Sequence, residues 1–468
     1  MKHLKHIYIL SGVLLTACTV GPDYERPDVA LAAKYPEAQV SGVAISDQWW
    51  KGFGDTQLDQ FIAQALVANA DLKVAVARVE EASAGLDDVS GAQLPQIDGT
   101  GGYSRTKVSD GGYTPITATN GRTRSLYRAG LATSFELDFW GKLRRATEGA
   151  KAQLLGAQEA RAQVELAVTS SVVRAYAVLR SADIQARAAE EIRAVREEER
   201  RVIEERFKVG SAGSNDQAVA EINLAAAVSV QSDATRARAQ AQHLLGFLIG
   251  QPDLVVATSV AAPWKLPAAP AAGLPSDLLR RRPDVVVAEQ ALVAANARIG
   301  YAKASYFPTF SLTGTFGSES RSFSNLFSSG SATNSLGVDL RVPLLDYGRT
   351  AARVDGAVAV QHQAVATYEK TVFNAFREVR DALVDVRETI QAADAAVRRE
   401  NSSREAFRVA EAKQGQGQIG PLDFLLSRRQ LAESEAAVAR VRYDRVIAQV
   451  DLIKALGGAR VEAVEVKE

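Results

Sequence analysis

The sequence predicts a mainly α-helical protein with a membrane β part, built from an internal duplication. The first copy contains Leu94-Pro95-Gln96-Ile97 and Phe139-Trp140-Gly141, and the second contains Phe307-Pro308-Thr309-Phe310 and Asp346-Tyr347-Gly348. Two alternating segments and a long Ala-rich stretch accompany each copy. Because a spacing of about 210 residues is too long for a solenoid unit, we interpret each copy as a domain-sized module.

The N-terminus indicates export. Residues 1–17 combine lysines with an apolar run too short to span a bilayer, as a signal peptide does. Leu15-Thr16-Ala17-Cys18 resembles the bacterial lipobox, and Cys18 is the only cysteine. We therefore expect lipidation of Cys18, including palmitate, rather than a disulfide within the chain. An ordinary signal peptide with an incidental cysteine is the alternative. Thr19 stands where an inner-membrane retention signal often has Asp, which favours the outer membrane.

The composition argues against a nucleic-acid-binding protein and against a protein with transmembrane helices. Lys+Arg and Asp+Glu number 55 each, so there is no basic field to attract nucleic acid. After the signal peptide no segment approaches 18 uninterrupted apolar residues, so no transmembrane helix is expected. If the chain crosses a membrane, it must do so as a closed β-barrel, because lipid cannot satisfy the backbone groups of an open strand edge.

Four segments alternate between apolar and polar residues, which predicts strands at about 94–108, 124–140, 306–317 and 334–345. The clearest apolar face consists of Leu336, Val338, Leu340, Val342 and Leu344. Each run has the length of a tilted transmembrane strand. Two hairpins of a soluble sandwich are the alternative. Four strands cannot close a membrane barrel; two chains would supply eight, and three would supply twelve and leave an opening, so a pore favours a trimer.

Two proline-free stretches predict unusually long helices, from Lys142 to about Phe207 and from Thr350 to about Lys413. Each would extend roughly 100 Å at 1.5 Å per residue. The chain then turns at tips near 208–216 and 415–423 and returns as a second helix. A heptad seam in the second copy consists of Val372, Phe376, Val379, Leu383, Val386, Ile390, Ala393 and Val397. Such a seam predicts supercoiled packing against neighbouring helices. A lipid-anchored periplasmic coiled-coil scaffold is the alternative.

Several short motifs carry a family resemblance. They are Arg281-Arg282-Pro283-Asp284-Val285, Glu289, the run from Ala294 to Gly300, Phe307-Pro308, Gly21-Pro22-Asp23-Tyr24, Trp49-Trp50, Phe139-Trp140-Gly141-Lys142 and Leu345-Asp346-Tyr347-Gly348-Arg349. Through these motifs, over residues 15–458, the chain resembles the TolC-like outer-membrane factors. Within them it is most similar to the OprM/NodT-like branch of efflux lipoproteins.

The resemblance implies a homotrimer whose twelve-stranded outer-membrane β-barrel continues as a long periplasmic α-helical barrel. It implies repeats at 56–250 and 281–458. It also implies an equatorial region formed by 18–55, the linker 251–280 and the tail 459–468. Family members pass small molecules such as drugs outward from a periplasmic adaptor and an inner-membrane proton-driven pump. Exit ducts for protein secretion or for metal ions are the alternatives within this fold.

The resemblance also implies where the pore narrows. It places the closure at the tip of the second hairpin, with Leu422 in a hydrophobic ring. The acidic position of the family motif falls on Leu426. Either Asp423 supplies the charge instead, or the ring is wholly apolar and gates by dewetting. Asp216 is the candidate at the first tip. Both aspartates also fit ordinary helix capping.

No catalytic residue is expected. His243 and His362 lie in separate predicted helices without the spacing of metal ligands, and no nucleophile elbow or phosphate loop is present. We therefore expect neither an enzyme nor a metal site, and no cofactor beyond the lipid on Cys18. Met1 is the only methionine, which argues against a methionine-lined path for copper or silver.

Overall fold

The computed structural model describes residues 19–37, 45–109, 122–257, 266–273 and 275–458. The helices are α1 (Thr56–Ala68), α2 (Ala70–Gly91), α3 (Lys142–Lys208), α4 (Ser214–Leu248), the single turn α5 (Leu278–Arg281), α6 (Pro283–Ala304), α7 (Arg349–Gly415) and α8 (Pro421–Ala455). The strands are β1 (Gln96–Lys107), β2 (Thr123–Leu137), β3 (Thr309–Ser320) and β4 (Ala332–Arg341). Among these residues, every helix is either too short or too polar to be a candidate membrane span.

The chain forms two compact units. The first contains the described residues up to Asp28, together with Arg78–Ala157 and Ala288–Tyr368; the second contains Val29–Ala77, Gln158–Val287 and the described residues from Glu369 onward. Each unit therefore takes segments from both halves of the chain. The predicted signal peptide, Cys18 and the tail 459–468 lie outside the described residues.

The first unit contains an antiparallel sheet in the order β1-β2-β3-β4. Its central pairing, between β2 and β3, joins the two hairpins: Leu131 lies opposite Phe316. In the outer pairing of the second hairpin, Leu312 lies opposite Val338. Directly paired residues share a face of a sheet, so the register places the alternating apolar residues of all four strands on one face. Leu126 is the one large apolar strand residue on the other face. The predicted single apolar face is confirmed.

The opposite face of the sheet is polar. Arg128 Nε donates to Glu319 Oε2 at 2.8 Å across β2 and β3, and Thr313 Oγ1 donates to Asp339 Oδ2 at 3.2 Å across β3 and β4. Between these two pairs the strands approach closely at Gly130 and Gly317. A Cβ on Gly317 would lie 2.4 Å from the carbonyl oxygen of Ala129, so only glycine fits there.

The segment Thr19–Arg26, called here the N-terminal strap, is fixed to the first unit by a buried carboxylate. Glu289 on α6 is 6% exposed and accepts two bonds from Arg26, at 2.7 and 2.8 Å, and one from the Tyr24 hydroxyl at 3.0 Å. Burial, and then the charge of Glu289, raise the pKa of Tyr24 above its usual value. The carboxylate therefore accepts from a guanidinium and from a phenol that stays protonated.

A second set of contacts fixes the beginning of the strap. The Val20 N–H donates to the carbonyl oxygen of Trp140 at 3.0 Å, and Arg145 on α3 donates to Asp23 Oδ1 at 2.8 Å. Thr19–Asp28 thus belongs to the first unit, whereas the described residues of Val29–Ala77 belong to the second. The assignment of 18–55 to an equatorial region stays a prediction.

The second unit has a hydrophobic core where α1 and the 3-10 turn Trp49–Phe53 pack on the middle of α3. Its largest fully buried side chains include Phe53, Leu58, Ile62, Val172, Leu179 and Leu245. Full burial of one such side chain contributes about 1.5–3 kcal/mol. All eight residues of the predicted heptad seam on α7 are buried or half-buried. The seam therefore packs within the chain.

The helices that lead back from the two hairpin tips, α4 and α8, are called here the return helices. A side chain from another segment binds the last carbonyl group of each. Asn69, between α1 and α2, donates from Nδ2 to the carbonyl oxygen of Leu248 at the end of α4, at 3.1 Å. Arg282, between α5 and α6, donates from a terminal nitrogen to the carbonyl oxygen of Ala455 at the end of α8, at 2.9 Å. Helix C-terminal carbonyls lack intrahelical partners, so each side chain satisfies an otherwise open acceptor.

The cap at Arg282 is also a buried ion cluster. Arg282 is 6% exposed and binds Asp284 at 2.6 Å and Glu378 on α7 at 2.7 Å. Burial alone would lower the pKa of the Arg282 guanidinium, but Asp284 and Glu378 hold it above its usual value. The charged form is therefore retained, and three helices meet at one side chain.

We predict that Arg282→Ala lowers the free energy of unfolding by about 3 kcal/mol, because two partly buried carboxylates lose their cation and a helix end loses its donor. Denaturant titration in detergent, followed by helical circular dichroism, measures this loss. Arg281→Ala is the control, because Arg281 is exposed and carries the same charge. Equal losses in the two variants would contradict the role assigned to Arg282.

Candidate functional site

The four predicted pore residues lie in the second unit, at the start of the return helices. Asp216 is the third residue of α4, and Leu422 and Asp423 are the second and third residues of α8. Leu426 lies one turn further along α8. The structure therefore places these residues at the hairpin tips, as the sequence suggested, and the two tips have closely similar backbone geometry.

Both long helices end in the same motif. Gly210 follows α3 with φ 75°, and Gly417 follows α7 with φ 70°. The Ser211 N–H donates to the carbonyl oxygen of Arg206, and the Gln418 N–H donates to that of Lys413, each at 2.8 Å. This is the Schellman pattern, in which a glycine in the left-handed region lets the chain turn back and satisfy the last carbonyls of the helix.

The return helices also begin alike. Gly213 precedes α4, and its N–H donates to Asp216 Oδ2 at 2.8 Å. Gly420 precedes α8, with Pro421 at the first helical position and Asp423 at the third. A carboxylate in the first turn is stabilised by the positive end of the helix dipole. For Asp216 the structure therefore supports the capping alternative directly.

Exposure separates the candidates on α8. Asp423 is exposed and Leu426 is 40% exposed, whereas Leu422 is half-buried. Leu425, between them, is 3% exposed and anchors the helix. Asp423 and Leu426 lie three residues apart, so they occupy neighbouring positions on one face of α8. That face presents one carboxylate and one apolar side chain to solvent in the single chain.

Contacts with two neighbouring helices fix the position of α8. Phe424 packs on Phe407 of α7, with ring centroids 5.6 Å apart. One turn later, Arg428 forms a salt bridge with Glu191 of α3 at 2.5 Å. The sequence reasoning missed these contacts. In the sequence these contacts are indicated only by an aromatic and a charged residue near the tip. Such residues are common on helix surfaces, so they do not single out a contact.

The tips offer charge and apolar bulk. An exposed carboxylate can attract cations, and an exposed leucine can narrow a water-filled passage. Among the described residues, no group of His, Cys, Asp and Glu side chains could hold a metal ion. The lipidation candidate, Cys18, lies outside the described residues.

We predict that Asp216→Ala speeds amide exchange in the first turn of α4 about fivefold, because losing a capping interaction costs about 1 kcal/mol. Hydrogen–deuterium exchange of the peptide spanning Gly213 measures the effect. Asp233→Ala is the matched control, because exposed Asp233 on the same helix pairs only with the exposed Arg236 in the described structure. Unchanged exchange in Asp216→Ala would show that the cap is dispensable.

Comparison with known proteins covers almost the entire chain. Residues 61–251 and 274–458 match the family described as outer membrane efflux protein. The chain is 33% identical to the probable efflux pump outer membrane protein TtgC of Pseudomonas putida, covering 96% of this chain and 94% of TtgC. It is 31% identical to the cation efflux system protein CusC of Escherichia coli K12, covering 98% of this chain and 100% of CusC.

The fold is also similar to a solved structure. The crystal structure of the Campylobacter jejuni CmeC outer membrane channel superimposes with a TM-score of 0.85. The two sequences are 26% identical, and the match covers 96% of each chain. Agreement in sequence and in fold therefore extends over both units.

Proposed function

The chain belongs to the outer membrane efflux protein family and is an outer-membrane efflux channel, and we propose that three copies assemble into one conduit. In this assembly a twelve-stranded β-barrel continues as an α-helical barrel. The observation that carries the proposal is the sheet. It has one apolar face, and its edge strands β1 and β4 have no further strand beside them in the described chain.

Aromatic side chains at both ends of the apolar face support its insertion in a membrane. At one end Tyr103 and Tyr127 pack together, with ring centroids 4.7 Å apart. At the other end Phe139 packs on Phe310 at 5.3 Å. Membrane barrels have an apolar band flanked by aromatic residues at the two interfaces. The apolar band between these pairs includes Leu131, so the sheet fits that pattern.

The packing of the long helices supports a closed wall. Within the second unit α3 forms ion pairs with α4, through Asp183 and Arg238, and with α8. Helix α8 in turn binds α7, where Arg404 contacts Glu435 at 3.0 Å. The order across the unit is therefore α4-α3-α8-α7, and α4 and α7 are the outer helices.

The outer helices expose apolar surface that a neighbouring copy would cover. The exposed apolar residues on α4 are Val219, Ile222, Val228, Val230, Leu244 and Phe247. Surface of this kind on a soluble segment marks a protein interface. Helical spacing places all of these residues except Val228 on one face of α4. Three copies would bring α4 of one protomer beside α7 of the next and would bury that face in a continuous wall.

Matched element lengths support an internal duplication. Helices α3 and α7 each have 67 residues, α4 and α8 each have 35, and α2 and α6 each have 22. The equivalent caps at Asn69 and Arg282 add to this correspondence. We infer two copies of one ancestral module, each of which contributes one strand hairpin and one helical hairpin.

We propose that the conduit receives its cargo from a periplasmic adaptor and an inner-membrane proton-driven pump, and that it catalyses no reaction. Small organic molecules such as drugs are the favoured cargo. The relative TtgC is named for an efflux pump, whereas CusC is named for cation efflux, which makes metal ions the second candidate. A chain whose only methionine is Met1 is a poor path for copper or silver. Lipid on Cys18 would add a membrane anchor.

Conductance tests this function. We predict that the purified full-length protein migrates as a heat-labile trimer and produces discrete conductance steps in planar bilayers, because a twelve-stranded barrel leaves an aqueous opening. Heat-dissociated protein is the control and gives no steps. A monomer without conductance would favour the lipid-anchored scaffold instead.

We also propose that Asp423 and Leu426 line the narrow end of the conduit, with Leu422 supporting them. Asp423→Asn is then predicted to lower the cation-to-anion permeability ratio roughly two- to fivefold, because a charge acts on an ion 4 Å away with about 1 kcal/mol in water. Reversal potentials in a salt gradient measure this ratio. Asp233→Asn, an exposed carboxylate on α4, is the control. An unchanged ratio would indicate a wholly apolar constriction.

A further inference from the structure

The sheet has an uneven distribution of charge between its faces. Seven charged strand residues lie on the polar face: Asp98, Arg124, Arg128, Glu136, Glu319, Asp339 and Arg341. The apolar face carries only two charged strand residues, Arg105 and Lys107. Both are cations, and both lie near the same end of β1. The apolar face of the strands therefore has a local positive charge with no carboxylate to balance it.

Arg105 and Lys107 lie just beyond one of the aromatic pairs. Along β1 they follow Tyr103 by two and four residues, so all three side chains point to the same face. Ser125 lies opposite Arg105, and its hydroxyl is 3.4 Å from that of Tyr103. Thr123 lies opposite Lys107. Both basic residues are exposed. Two cations and two hydroxyl groups therefore share this end of the face.

The position of this patch relative to the bilayer follows from the aromatic pair. In the proposed barrel the apolar face contacts lipid, and aromatic residues lie at the boundary between hydrocarbon and head groups. Charged side chains on such a face are tolerated near the interface and are costly at the bilayer centre. Arg105 and Lys107 therefore lie at the level of the head groups, on the side of the β1–β2 connection.

In the proposed assembly the helices are periplasmic and join the opposite ends of β1 and β2, so this end of the hairpin lies in the outer leaflet. We propose that Arg105 and Lys107, with Ser125 and Thr123, bind the phosphorylated head groups of outer-leaflet lipids. The inference rests on the proposed membrane-inserted barrel. A guanidinium binds phosphate oxygens in a bidentate manner, and an ammonium adds a point charge. The hydroxyl groups supply further donors. Each basic residue beside an anionic leaflet strengthens its binding roughly fivefold.

A lipid-binding measurement on the intact trimer tests the proposal. The detergent-purified full-length protein is titrated with a glycolipid carrying two phosphates, and the bound lipid is counted by native mass spectrometry. We expect Arg105→Gln/Lys107→Gln to weaken binding about 30-fold. Arg128→Gln/Arg341→Gln is the matched control, because it removes two positive charges from the polar face. The control should bind like the wild type.

Further measurements distinguish a lipid phosphate from free phosphate and test whether the barrel is intact. The dephosphorylated glycolipid should bind weakly to every variant, and millimolar inorganic phosphate should not displace the phosphorylated lipid. Equal binding by Arg105→Gln/Lys107→Gln and the wild type, or full displacement by inorganic phosphate, would overturn the proposal. Conductance is measured on the same samples. Normal conductance with such a result refutes only the lipid site, whereas absent conductance refutes the proposed function.

Discussion

The backbone groups on the outer edges of β1 and β4 are the constraint from which the proposed assembly follows. In the described chain each edge strand pairs on one side only, and the sheet between them has one apolar face. In hydrocarbon an unpaired N–H or C=O costs several kcal/mol, because no water is available to replace the missing partner. A single copy therefore cannot place this sheet in a membrane, whereas a ring of copies pairs every edge. The same ring would cover the apolar face of α4.

Local sequence patterns predicted much of the fold because strands and helices have fixed periods. Alternation located all four strands and their common apolar face, and the heptad spacing located the buried side of α7. The ends of the strands were predicted less accurately. Strand β4 stops at Arg341, short of the predicted limit near 345, since Pro343 has no N–H to donate. Strand β3 continues to Ser320 because β2 extends to pair with it at Tyr127.

Contacts between distant segments were not predictable. Nothing in the local pattern indicates that Glu289 binds the N-terminal strap or that Asn69 and Arg282 hold the ends of α4 and α8. Motif resemblance selected Arg282 and Glu289 without indicating what they do, and the structure shows that both are buried charges with structural partners. At the tips, the sequence left Asp216 between a pore role and a capping role. Its bond to the Gly213 N–H supports the cap, while Asp423 stays exposed.

The equal lengths of the paired helices limit how this architecture can change during evolution. Because α3 matches α7 and α4 matches α8, the two tips are reached after the same number of residues. A deletion in one helical hairpin alone would make the two hairpins unequal in length. It would also shift the heptad seam relative to the helices that it packs against. The length of the two helical hairpins can therefore change only if insertions or deletions occur together in all four helices. Whole heptads are the natural step, since they return each side chain to its former face.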